Sequence, residues 1–137
     1  VNAYYGKIMN GSAAKADKTA FERIAKEYMD NDENLTEYKV HVSHMLVDYY
    51  IEEERYDEAS ELVEQMLELE DISSNDQIYC LIDLADIYHA TYDLEGEKET
   101  LQTILDLPDH TMKSIQWEDG MELIIKERLA ELTESEE

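Results

Sequence analysis

"HVSHMLVDYYIEEERYDEASELVEQMLELED", residues 41–71, decides the fold. Its apolar residues return at spacings of three and four, the period of an α-helix, with none of the two-residue alternation of a strand. In the second half, Ala59, Leu62, Val63, Met66, Leu67 and Leu69 form one stripe, with Asp57, Glu61, Glu64 and Glu68 facing water. Asp57 and Glu58 sit near the start of that helix, where carboxylates meet the positive end of the helix dipole. In the first half, His41, His44 and Asp48 follow i, i+3, i+7 spacing, with Glu37 four positions before His41. They share a face roughly opposite Leu46, away from the core stripe.

The same period runs through the rest of the chain. "VNAYYGKIMN" reads as a short first helix ended by Gly11-Ser12, and residues 13–30 place Ala20, Phe21, Ile24, Ala25 and Tyr28 on a second stripe. "DNDEN" is a polar connector, after which Asn34 or Thr36 is the expected cap of a third helix running to about residue 54. The fourth helix is the stretch with Ala59 and Val63, and "DISSND" breaks the pattern after it. A fifth helix over about 75–92 carries Ile78, Leu81, Leu84, Ala85 and Tyr88, and a sixth over about 94–107 uses Leu101, Ile104 and Leu105 before Pro108 stops it. A last helix, kinked near Gly120, aligns Met121, Ile124, Ile125, Leu129 and Leu132 before the acidic tail. The expectation is an all-α chain of about seven helices, stacked as antiparallel hairpins. Four glycines and one proline in 137 residues are too few for the tight turns of an all-β or α/β chain, and the length suits one domain.

Charge narrows the partners. Eleven basic residues against thirty-five acidic ones give −24, concentrated in residues 40–110, where Arg55 and Lys98 stand against twenty carboxylates. Such a field repels nucleic-acid phosphates and anionic lipid and draws in basic partners. It also serves solubility alone. The one cysteine, Cys80 in "IYCLIDLA", excludes an intrachain disulfide and a four-cysteine metal site, and reads as a structural thiol. No run approaches a membrane span and no leader pattern opens the chain, so the cytoplasm is the expected location.

The hairpin pattern occurs twice. "YCLIDLADIYHATYDLEGEKETLQTILDLPD", residues 79–109, matches residues 41–71 in Leu46-Val47-x-x-Tyr50 against Leu84-Ala85-x-x-Tyr88, and in Leu67-Glu68-Leu69 against Leu105-Asp106-Leu107; the leading leucines are 38 positions apart. These residues, with the "YDEA" of Tyr56–Ala59 and the "LDLP" ending in Pro108, resemble the tetratricopeptide repeat family, a helix-turn-helix unit of about 34 residues. Val47 replaces the usual small residue, Asp71 the usual proline, and Glu97, or Gly96 after a one-residue slip, stands where Ala59 stands in the first copy. On this register, residues 1–34 are a degenerate hairpin, 35–72 and 73–109 are repeats, and 110–137 hold a capping helix and the tail.

The resemblance implies a right-handed superhelix in which the first helix of each hairpin lines a concave groove. It assigns His41, His44, Asp48, Ile51 and Glu52 to that surface in the first copy, and Tyr79, Ile82, Asp86 and His89 in the second. Three readings compete for it. It is a solvated face, or a groove for a basic or amphipathic peptide, with Ile51, Tyr79 and Ile82 as apolar contacts and Asp48, Glu52 and Asp86 as acceptors. The third is a metal site built from Glu37, His41, His44 and Asp48, although ligands strung along one exposed helix seldom converge on an ion. The groove lacks the basic and amide residues with which family members clamp a carboxyl terminus.

No nucleophile elbow, phosphate-binding glycine loop, HExxH or CxxC is present, so neither an enzymatic activity, a cofactor nor a metal is expected. Trp117 reads as a core or cap anchor. An acidic protein that imitates a nucleic-acid duplex is a further reading of the charge. Another is the sensory or dimerising part of a larger helical-repeat regulator, since Val1 already lies in a helix-like stretch.

Overall fold

The computed structural model describes residues 15–107 and 120–134, and among them every regular element is helical. In chain order these are α1 (Lys15–Asp30), α2 (Thr36–Glu52), α3 (Tyr56–Leu67), α4 (Ser74–Ala90), α5 (Leu94–Asp106) and α6 (Gly120–Glu134). The expected helix over residues 1–10, the role of Trp117 and any kink before Gly120 lie outside the described residues. The chain divides between Ile72 and Ser73 into two compact units.

The first unit contains α1, α2 and α3. Phe21, Ala25 and Met29 of α1 are buried, and the Phe21 ring meets Tyr49 edge-on at 5.5 Å and 78°. Ala20, Ile24 and Tyr28 are half-buried beside them. Helix α2 is buried on more than one side, through Val40, Val42, Met45, Leu46, Val47, Tyr49 and Tyr50. The stripe read on α3 is present: Ala59, Leu62, Val63 and Met66 are buried and Leu67 is half-buried, with Glu61 and Glu64 in water. The cap of α2 differs from expectation. Leu35 occupies that position without a side-chain bond. Asn34 instead donates its amide to the Tyr28 carbonyl at 2.8 Å, finishing α1, and Thr36 donates its hydroxyl to Asp71 at 2.7 Å. Both candidate caps are thus committed to other partners.

The second unit contains α4, α5 and α6. Ser73 caps α4, its hydroxyl accepting from the Asp76 amide at 3.1 Å, and Asp93 caps α5 by accepting from the Gly96 amide at 3.0 Å. Ile78, Leu81 and Ala85 of α4 are buried with Leu101 and Ile104 of α5, while Leu84 and Tyr88 are half-buried. Cys80, Asp83 and Ile87 are buried as well, so α4, like α2, is buried on more than one side. On α6, Ile125 and Leu132 are buried, but Ile124, expected on the same stripe, is exposed. Two adjacent residues on a helix point about 100° apart, and burial of Ile125 turns Ile124 outward.

The two hairpins share their turn. Glu54 and Tyr92, 38 positions apart, both take φ of 60°. The Arg55 amide donates to the Tyr50 carbonyl at 2.7 Å, and at the same offset the Asp93 amide donates to the Tyr88 carbonyl at 2.9 Å. A left-handed residue there ends the first helix and lets the next amide close the turn. This equivalence places Glu97 opposite Ala59 in register. The small residue of the second copy is Gly96: a Cβ there would come within 2.7 Å of the Tyr88 ring.

Candidate functional site

In the first unit, the residues assigned by the resemblance lie along α2. His41 and Glu52 are exposed, and His44, Asp48 and Ile51 are half-buried. His44 Nε2 lies 3.6 Å from Asp48 Oδ2, one helical turn on, as an i, i+4 pair. Glu37 is exposed at the first turn of the same helix.

Behind the hairpin turn of this unit sits an arginine clasp. Arg55 donates through Nη1 and Nη2 to the two oxygens of Glu22, at 2.9 and 2.7 Å, and through Nε and Nη2 to Glu58, at 2.8 and 2.6 Å. Its guanidinium lies 4.6 Å from the centre of the Tyr50 ring, and the Tyr50 hydroxyl donates to Glu22 at 3.2 Å. Glu22 comes from α1 and Glu58 from α3, so one side chain at the turn ties all three helices. The hydrogen bonds from Arg55, with a further contribution from Lys26, hold the Glu22 carboxyl down at about 2.

In the second unit, Tyr79, Ile82 and Asp86 are half-buried on α4 and His89 is exposed near its end. Burial raises the Tyr79 hydroxyl above its ordinary range and pushes the Cys80 thiol up to about 12. A thiol so protonated is no nucleophile at neutral pH. Two of the assigned residues converge on a cluster. Arg128 of α6 donates Nη1 to Asp86 at 2.9 Å and Nε to Glu97 of α5 at 2.9 Å, and the other Glu97 oxygen lies 3.1 Å from His89 Nδ1. Glu97 is 1% exposed. A buried carboxylate is costly unless hydrogen-bonded and paired, and here both oxygens have partners.

Glu97 and Arg128 were not among the residues read as a binding surface. Two sequence signals pointed to them. Glu97 falls at the register position of Ala59, where a charged residue has no packing reason to be, and Arg128 is the sole arginine after Arg55 in a strongly acidic stretch. Among the described residues, no helix is long and apolar enough to cross a membrane.

No protein-family model matches this chain, and no curated protein or solved structure matches it either.

Proposed function

We propose that this chain is a non-enzymatic protein-interaction module, a tetratricopeptide-like right-handed stack of hairpins acting as an adaptor or chaperone-like protein. It takes a basic or amphipathic segment of a protein partner on the acidic faces of its first-helix residues: His41, His44, Asp48, Ile51 and Glu52 on α2, and Tyr79, Ile82, Asp86 and His89 on α4. The observation that carries this reading is the guanidinium of Arg128, held at 2.9 Å by Asp86 of α4 and at 2.9 Å by Glu97 of α5. One of the assigned acceptors thus already receives an arginine from a helix of the same chain. The net charge of −24 adds long-range attraction for such segments and a steep dependence of association on salt.

The test is affinity capture from host extract by the full chain, compared with a variant carrying Asp48→Asn and Glu52→Gln. These changes remove two negative charges of α2 and leave Arg128 and its partners intact. The proposal expects the captured partner to fall by about tenfold while the helical circular dichroism is kept. Capture at the wild-type level overturns it.

A further inference from the structure

We infer that the side of the second unit covered by α6 is a binding site for an amphipathic helix, that α6 is its resident ligand in cis, and that a partner helix carrying Ile-x-x-Arg-x-x-x-Leu exchanges for it. This rests on the interaction-module reading and names the partner's chemistry.

Among the described residues of α6, three stand out on the side turned to the hairpin. Ile125 and Leu132 are buried, and Arg128 lies between them at spacings of three and four, on one helical stripe. Leu123 and Ile124, on the far side, remain 57% and 56% exposed. Two buried apolar side chains and one guanidinium thus share one stripe of the helix, a set that a short partner helix can reproduce.

The receiving side is built for an arginine. Its acceptors, Asp86 and Glu97, come from different helices of the hairpin, and they take two different nitrogens of one guanidinium, Nη1 and Nε. A lysine ammonium is a point donor on a flexible stem and lacks that fixed divergence. Glu97 adds a second argument. The first hairpin fills the same register position with Ala59, which is fully buried and asks for no partner. A carboxylate there is costly whenever no cation reaches it. The second unit consequently favours an occupant that delivers a guanidinium between two apolar residues. Because α6 belongs to the same chain, the cis occupant is present at high effective concentration, so a competing helix must match its anchors.

The probe is a fluorescein-labelled synthetic peptide of residues 120–134, titrated by fluorescence anisotropy into the full wild-type chain and into a full chain carrying Ile125→Asp and Arg128→Gln. The variant loses both kinds of cis anchor. It is expected to bind the probe about tenfold more tightly than wild type, and probes carrying Arg128→Gln or Arg128→Lys are expected to bind it about tenfold more weakly than the unchanged probe. No binding to the variant, or equal binding of the Gln and Arg probes, overturns the inference. Should the variant lose its helical circular dichroism, hydrogen exchange of the wild-type chain decides. An excess of unlabelled peptide must then accelerate exchange in residues 120–134, and unchanged exchange overturns the inference. Failure of peptide exchange with capture still dependent on Asp48 and Glu52 removes the cis ligand alone. Peptide exchange with capture indifferent to those two residues removes the interaction surface on α2.

Discussion

Glu97 lies buried beneath Arg128, its Oε1 accepting from Nε at 2.9 Å, at the position where the sister hairpin carries Ala59. The pair sets an asymmetry that urea denaturation can read. Arg128→Ala leaves a buried carboxylate with His89 as its remaining partner, and is expected to cost about 2–4 kcal/mol, tempered by the partial exposure of Arg128. Glu97→Ala restores the residue type the first hairpin uses and is expected to cost less. The double variant should then be more stable than Arg128→Ala alone. A double variant less stable than either single one contradicts a desolvation penalty at Glu97.

Stability at low pH should depend on Glu22. Its carboxyl is held at about 2 in the folded chain by hydrogen bonds from Arg55, against an unfolded value near 4.5. A depressed folded value contributes stability above the unfolded value, and that stability is lost as pH falls from about 4.5 towards about 2. The contribution is on the order of 1–2 kcal/mol after allowance for solvent screening of a partly exposed pair. Glu22→Gln is expected to flatten the dependence of the urea midpoint in that window and to lower it near neutral pH. An unchanged acid limb speaks against the Arg55 clasp.

Gly96 should resist enlargement. Alanine normally favours a helix by up to about 1 kcal/mol over glycine, but its methyl would meet the Tyr88 ring at 2.7 Å, at ring atoms that cannot simply swing away. Gly96→Ala is expected to destabilise by about 1–3 kcal/mol, the usual range for overpacking. Thermal denaturation checks the sign, and a raised midpoint would refute the close approach.

Cys80 should be silent in the native chain. Burial pushes its thiol up to about 12, so alkylation by iodoacetamide at neutral pH is expected to follow urea unfolding instead of preceding it. Rapid alkylation without denaturant contradicts its placement.

The helical class and the hairpin positions were legible because they rest on apolar period and on turn residues, both local signals. Leu46, Ala59, Val63 and Leu101 announce their burial by spacing alone. The cap of α2 was not legible, since the competition of Tyr28 and Asp71 for Asn34 and Thr36 depends on how the chain folds back. The roles of Arg55 and Arg128 were hidden for a similar reason. Each reaches a carboxylate 31 or more residues away, and sequence spacing holds no record of which acids a long side chain will reach. Ile124 shows the opposite limit: a stripe drawn through both Ile124 and Ile125 is wider than the one side of α6 that is buried.

We propose above all that basic partners contact the first-helix residues of the hairpins. Hydrogen exchange of the full chain, with and without its captured partner, tests it most directly. Added protection is expected in residues 41–52 and 79–89, and none on α3. Protection that appears on α3 and spares both of those stretches would contradict it.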